Sequence, residues 1–300
     1  MSDRNSDSTG RGAAGTLFVV ATPIGNLQDL SPRAAACLRD ADLLLAEDTR
    51  HTRQLLEACG ISRSGALESL HEHNERQRVP ALLARLQQGD SIALVTDAGT
   101  PLLSDPGATL VGAAANAGLA VVAVPGPCAA VAALSIAGLP TDRFAFEGFL
   151  PAKAGARREV LERLASESRT LVFYEAPHRL VDTLRDLADV FGGERTAVIA
   201  RELTKRFEST YRGTLAELAA RSVADADMTR GELVILVTGA PAASDEAIAQ
   251  ASREAERVLR ALLAELPVSQ AARLAAELTG RSRSELYERA LALKGEEKGG

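Results

Sequence analysis

Short continuous apolar runs recur along the chain, and most end on a cluster of glycine, proline, acid, histidine or arginine. The runs are Leu17–Ala21, Leu43–Ala46, Ile92–Val95, Val121–Val124, Thr170–Tyr174, Thr196–Ala200 and Leu233–Val237. They do not alternate apolar with polar, which marks strands covered on both faces rather than strands with one wet side. Helical patterns often lie between them, so the chain predicts an α/β fold built on parallel sheets. Ser31 followed by Pro32 predicts a helix start with proline at the first helical position. Gly60, Gly89 and Gly118 fall where helix ends are expected.

Four strands are used up before Pro125–Gly138, and the break between domains is placed there. This predicts an N-terminal α/β domain over 16–126 and a second over 127–240. The small-residue stretch TGAPAASDEA then leads into a helical domain over 246–294. Its last part, PVSQAARLAAELTGRSRSELYERALAL, reads as two amphipathic helices around Gly280 and resembles a helix-turn-helix. A cap or dimer element fits that pattern as well as a nucleic-acid contact does. Residues 1–15 are small, polar and glycine-rich, the composition of a disordered tail. They lack the basic start and apolar stretch of a secretory signal.

Composition narrows the picture. A chain of 300 residues, 46% of them apolar and 25% charged, suits about two soluble domains with full cores. No apolar run approaches the ~20 residues of a membrane span. Cys37, Cys59 and Cys128 are scattered and odd in number, so neither a disulfide framework nor a paired-cysteine metal site is expected. A cytoplasmic protein is the reading. The net charge of −6 argues against bulk coating of nucleic acid. Local basic faces are still available at Lys153, Arg157 and Arg158, and at Arg201, Lys205, Arg206 and Arg212.

The candidate chemistry lies after the strands, because ligands of open α/β sheets bind at the carboxyl edge. The segments there are TPIGNLQD, EDTRHT, TDAGTPLLSDPG, PGPCAA, EAPHR and RELTKR. Any one of them is ordinary turn chemistry. Six on one edge predict a shared site. The first carries one glycine in Pro23-Ile24-Gly25-Asn26-Leu27 where a dinucleotide loop needs three, and no phosphate loop occurs, so NAD and ATP are not expected. His71, Glu72 and His73 in HEHNE lack the zincin spacing, and no metal is assigned to them.

In order along the chain stand VATPIGNLQDLSPRA, AEDTRHTRQLL, HEHNE, LVTDAGTPLLSDPG, VPGPCAAVAAL, FEGFLP, FYEAPHRL, RELTK and RGELVILV. Together they closely resemble the ribosomal RNA small-subunit methyltransferase I family, a branch of the tetrapyrrole (corrin and porphyrin) methylase superfamily. The resemblance spans about residues 16 to 293. It implies two α/β domains with S-adenosylmethionine in the cleft between them and a small helical domain at the C-terminus. It implies a homodimer that methylates the ribose 2′-hydroxyl of a cytidine in small-subunit (16S) ribosomal RNA. By the same resemblance the cofactor meets Pro23, Ile24 and Gly25, then Gly99, Thr100, Pro101, Leu102 and Leu103, then Cys128 and Ala129, with Tyr174 and Gly231 from the second domain. Many relatives carry serine where this chain has Cys128, so a hydroxyl contact there would be weakened.

Methyl transfer to a ribose oxygen is an in-line displacement, in which positioning and exclusion of water do much of the work. A base can take the hydroxyl proton late in the step. Glu175 and His178 are the first candidates, Glu47 and Asp48 the alternative pair. Asp97 serves either the cofactor's amine or the shape of its own loop. Lys205 or Arg201 would hold the phosphate beside the reacting ribose, and Arg50 and Arg179 would do the same; a plain surface ion pair suits each equally. Among the aromatics, Phe149, Tyr174 and Tyr211 are candidates for stacking on a base. The rival readings are a tetrapyrrole C-methyltransferase and a non-catalytic ribosome assembly factor.

Overall fold

The computed structural model describes residues 14–241 and 245–296, so the expected tail lies outside the described residues but for its last two. The chain divides into two units at Ala240/Pro241. The first holds two five-stranded sheets.

The first sheet contains β1 (Thr16–Val20), β2 (Leu43–Ala46), β3 (Ala66–Ser69), β4 (Ile92–Val95) and β5 (Ala120–Val124), in the order β3-β2-β4-β1-β5 and parallel throughout. The connecting helices are α1 (Pro32–Asp40), α2 (Thr49–Ala58), α3 (Glu72–Gln87) and α4 (Ala108–Asn116). Ser31 caps α1 as the sequence predicts, its hydroxyl accepting from the Ala34 N–H at 3.0 Å. Leu43 and Leu45 join a cluster with Leu82 and Leu86 of α3 and Leu110 of α4. Leu44 and Ala46, one step along, join Ala34 and Leu38 of α1 and Leu56 of α2. Both faces are covered, and each leucine taken fully out of water contributes about 1.5–3 kcal/mol. That is why β2 is an unbroken apolar run.

The second sheet contains β6 (Phe144–Phe149), β7 (Thr170–Glu175), β8 (Thr196–Arg201), β9 (Ser209–Thr214) and β10 (Leu233–Val237), in the order β6-β7-β10-β8-β9. Here the expectation of a parallel sheet fails. Only β6 and β7 pair in parallel, whereas β10 is antiparallel to both β7 and β8, and β9 is antiparallel to β8. The strand-edge reasoning survives the change. Leu233, at the start of β10, pairs with Glu175 and Arg201, at the ends of β7 and β8, so one edge still collects the loops of interest. Helix α5 (Ala129–Ala137) packs its buried Ala130, Ala133 and Leu134 against Val172, Val198 and Val234 on one face. Helices α6 (Ala154–Leu164), α7 (Leu180–Phe191) and α8 (Leu215–Ala224) close the other, through Leu161, Leu184 and Leu218.

The second unit is a separate helical domain of α9 (Asp245–Glu265), α10 (Val268–Thr279) and α11 (Arg283–Glu296). Leu259 packs with Ala271, Ala272, Ala275, Leu286 and Ala290. Gly280 ends α10 with φ +68°, which is the turn predicted between the two amphipathic helices. Among the described residues no helix is long and apolar enough to cross a membrane.

Candidate active site

The strand-end loops are tied to one another by backbone and side-chain bonds. Thr22, after β1, and Gly99, after β4, pair as an isolated bridge with bonds of 2.8 and 3.1 Å. The Thr100 hydroxyl donates to the Pro127 carbonyl at 2.9 Å and fastens the loop after β5. Asp97 holds the loop after β2 rather than its own: its carboxylate accepts from the Asp48 N–H at 3.1 Å and from His51 Nδ1 at 2.8 Å. Across the edge, the Tyr174 hydroxyl accepts from the Ala130 N–H at 3.3 Å.

Two neighbouring cavities open on this edge. The first, of about 390 Å³, is walled by Ile24, the Gly99–Thr100 turn, Leu103, Ser104 and Asp105 on one side. Ala129, Phe149, Tyr174, Leu203 and the segment Gly231–Val234 wall the other. The second, of about 360 Å³, is lined by Pro23, Ile24, Gly25, His51, Gln54, Asp97, Lys205 and Glu232. Ile24, Ala98 and Glu232 belong to both.

The backbone is strained here. Among the described residues, the non-glycine positions with left-handed φ are Leu102 (+74°), Ser104 (+70°), Glu202 (+51°) and Thr204 (+65°), all in the loops after β4 and β8. Such conformations cost about 1–3 kcal/mol each and persist where the surroundings fix them. Gly231, with φ +77°, lies so close to Glu202 that a Cβ would collide with the carboxylate.

The electrostatics centre on Asp105, which in sequence is one more polar residue of the turn-rich TDAGTPLLSDPG. Burial pushes its carboxyl up to about 6, with Glu47 and Asp97 adding to the rise and a Thr96 hydrogen bond opposing it. Burial also pushes the Tyr174 phenol up to about 12, with the neighbouring Cys128 thiol adding to it.

The predicted site residues divide. Ile24, Gly99, Thr100, Leu103, Ala129, Tyr174 and Gly231 wall the first cavity, while Pro23, Gly25, Asp97 and Lys205 line the second. Pro101, Leu102 and Cys128 line neither; Pro101 is buried behind the loop, and Leu102 packs into the core between β4 and α4. Glu175 stands at the first cavity, but its carboxylate is 0% exposed. It accepts from the Thr183 hydroxyl at 2.5 Å and the Ala176 N–H at 2.7 Å, and pairs with Arg179 at 3.2 Å. It anchors the turn instead of facing a substrate. His178 is exposed on the 3-10 turn Pro177–Arg179 and lines neither cavity.

The proposed phosphate cations are also committed elsewhere. Arg179 donates to the Leu150 and Pro151 carbonyls at 2.6 and 3.2 Å. Arg201 is 9% exposed and donates to the Arg230 and Phe207 carbonyls at 2.8 and 3.0 Å. Arg50 grips Asp48 at 2.5 Å and holds that carboxyl well below the usual range. Lys205 lies between Glu202 at 2.9 Å and Glu232 at 3.1 Å, with its stem against Gly25. Of the basic faces, Arg157 is buried on Asp186 at 2.7 Å, and Arg212 donates to the Ile136 carbonyl at 2.5 Å. Tyr211 is a core residue beneath Arg221, whereas Phe149 is 54% exposed and packs edge-on against Tyr174.

HEHNE stands at the start of α3, with His71 as the N-cap residue. Glu75 within it accepts from the Leu110 N–H at 3.0 Å, bonding the first turn of α4. Among the described residues no group of three or more His, Cys, Asp or Glu side chains is placed to hold a metal ion.

The same fold is found in the solved methyltransferase CobJ, with a TM-score of 0.57 and 20% identity, covering 76% of this chain and 95% of that one. It is found too in the uroporphyrin-III C-methyl transferase of Thermus thermophilus, solved with S-adenyl homocysteine, at a TM-score of 0.51 and 18% identity over 75% of this chain and 97% of that one. The pattern of the Tetrapyrrole (Corrin/Porphyrin) Methylases matches residues 16–219, and the protein is a methyltransferase of that class. Within it the chain belongs to the ribosomal RNA small subunit methyltransferase I family. It is 56% identical over 283 residues to the Pseudomonas aeruginosa member, covering 94% of this chain and 99% of the relative. It is 50% identical over 281 residues to the member from Escherichia coli O157:H7, covering 94% and 96%. The helical unit matches the RsmI C-terminal HTH domain at residues 249–294.

Proposed function

We propose that this chain, as a cytoplasmic homodimer, methylates the ribose 2′-hydroxyl of a cytidine in small-subunit (16S) ribosomal RNA, with S-adenosylmethionine as donor. The observation that carries the reading is the first cavity. Its volume of about 390 Å³ lies in the range, about 300–1,000 Å³, of small-molecule sites. S-adenosylmethionine supplies an activated methyl on a cationic sulfonium, beside an amine and a carboxylate. The wall suits it. Ile24, Leu203 and Val234 provide apolar surface, and Asp105 provides a carboxylate. The Gly99–Thr100 and Gly231–Leu233 backbones provide donors and acceptors close to the ligand. Glu47 and Asp97 beside Asp105 make the edge attractive to a cation.

The choice of ribosomal RNA is supported by the names of the relatives and by the helical unit they share. With a net charge of −6 and most arginines of the expected basic faces committed to partners, contacts to phosphate are few. Affinity then has to come from shape and distributed contacts on an assembled particle rather than on naked RNA.

The test is transfer of labelled methyl from S-adenosylmethionine to purified small subunits lacking 2′-O-methylation, with the nucleoside identified by mass spectrometry. 2′-O-methylcytidine is the expected product. Label in a tetrapyrrole and none in RNA overturns the reading in favour of a C-methyltransferase, and cofactor binding without transfer favours an assembly factor. Equal methylation of naked RNA removes the need for the particle.

A further inference from the structure

The second cavity contains a histidine–carboxylate pair that the six strand-end motifs did not single out as a unit. The His51 ring, on α2, meets Asp97, after β4, with Nδ1 at 2.8 Å from Oδ2, and the other Asp97 oxygen takes the Asp48 N–H at 3.1 Å. An ionised carboxylate only accepts, so Nδ1 carries the proton and the lone pair of the neutral ring sits on Nε2. No hydrogen bond to Nε2 occurs among the described residues, and the side chain is 57% exposed toward solvent and the cavity.

The other charged groups near His51 are already engaged. Asp48 and Arg50, on its own helix, hold each other at 2.5 Å. Lys205 and Glu232, from the facing loops, pair at 3.1 Å, and Lys205 also holds Glu202 at 2.9 Å. Glu47 accepts from the Thr96 hydroxyl at 3.2 Å. Asp105 also titrates near neutrality but stands at the first cavity, so among the groups lining the second His51 is the one with an open ring nitrogen and a titration near neutrality. The two cavities share Ile24, Ala98 and Glu232 in their lining, so they adjoin, as a displacement that needs reacting atoms about 3–3.5 Å apart requires of a donor site and an acceptor site.

The geometry points to His51, oriented by Asp97, as the base that takes the proton of an acceptor ribose hydroxyl seated in the second cavity, an assignment that rests on the 2′-O-methylation reading above. The ribose oxygen forms the new O–C bond, and the S–C bond of the donor breaks with its electron pair going to sulfur. The hydroxyl proton passes to Nε2 of His51 and from there to water. His51 is thus a catalytic residue and Asp97 a positioning residue. Asp97 also raises the imidazole above its ordinary value of 6.5, chiefly through the hydrogen bond and then through its charge. Methylation therefore falls on the acid side as His51 is protonated.

The experiment compares wild type, His51→Gln and Asp97→Asn in single-turnover transfer to small subunits across pH, with cofactor affinity measured by calorimetry and the His51 titration followed by NMR. His51 is exposed, so His51→Gln leaves the core untouched. It is expected to lower kcat about 100-fold or more, with cofactor affinity within about threefold of wild type. Asp97→Asn is expected to lower the rate, move the acid limb of the profile to lower pH and move the His51 NMR midpoint the same way. A His51→Gln rate within about threefold of wild type overturns the assignment, as does an NMR midpoint that ignores Asp97→Asn. A wild type that transfers nothing to small subunits overturns the RNA reading and, with it, the acceptor this base would serve. An active wild type matched by an active His51→Gln overturns the base alone.

Discussion

Thr22 and Gly99 exchange two backbone hydrogen bonds, the Thr22 N–H donating at 2.8 Å and the Gly99 N–H at 3.1 Å, although 77 residues separate them along the chain. The bridge fixes the loop after β4, which on the proposed reading meets the cofactor. Gly99 has φ +85°, and a Cβ there would stand 3.2 Å from Cγ2 of Ile24. A side chain at 99 would press on Ile24, itself a wall of both cavities. Gly99→Val is expected to destabilise the protein by about 1–3 kcal/mol through a strained β-branched residue. Loosening the bridge is expected to weaken S-adenosylmethionine binding about tenfold or more, on the scale of ~1.4 kcal/mol. Calorimetry on the folded variant checks it, and unchanged affinity refutes it.

Asp105 gives a pH signature. Its folded value of about 6 lies above the ordinary 3.8, so the fold favours the protonated form. The stability this contributes is fully present below about 3.8 and is lost as pH rises through about 6. Asp105→Asn stays neutral throughout. Its Tm relative to wild type should climb between pH 4 and about 6 and level off above, and a constant offset would contradict the burial argument. S-adenosylmethionine affinity at pH 8 should fall in the same variant.

Arg201 is a structural residue. Arg201→Met strips donors from the Arg230 and Phe207 carbonyls and from the Ser209 hydroxyl. The expected loss is about 2–4 kcal/mol in urea unfolding, since hydrogen bonds from a charged group contribute about 1.5–3 kcal/mol each. The salt dependence of subunit binding should stay as in wild type. A stable variant with a shallower salt slope would return Arg201 to the RNA surface.

The buried pair of Arg157 and Asp186 predicts an asymmetry. Asp186 has a second partner in Arg158 at 3.1 Å, whereas Arg157 has no other carboxylate within ion-pair distance among the described residues. Asp186→Ala leaves a buried guanidinium uncompensated and should cost about 3–5 kcal/mol. Arg157→Met should cost clearly less, because Arg158 still compensates the carboxylate. Equal losses in denaturant unfolding would contradict this.

What the chain disclosed about its fold depended on where each strand lies. The seven apolar runs are all strands. The three that escaped notice, Ala66–Ser69, Phe144–Phe149 and Ser209–Thr214, are edge strands, each with a neighbour on one side only. Half-exposed edges need no unbroken apolar run. Gly148 and its register shift interrupt the pattern of β6, and polar residues interrupt that of β9. The antiparallel course of β10 left no trace either, because LVILV is buried on both faces whichever way it runs. For the site, the loops were legible but the commitments within them were not. Glu175 reads as a free acid until Thr183 and Arg179 appear against it. The His51–Asp97 pair spans 46 residues, a distance that no local spacing signals.

The position of β10 bears on how the protein breathes. Flanked on both sides by ladders, Val234 to Leu236 can exchange their amide hydrogens only when the sheet itself comes apart, whereas Leu102 to Asp105 and Glu202 to Thr204 are strained loop segments free of such ladders. Deuterium should therefore enter the two loops in a fast local phase and reach β10 only on the timescale of global unfolding. The cavity would fill and empty by motion of its lips over a floor that stays closed.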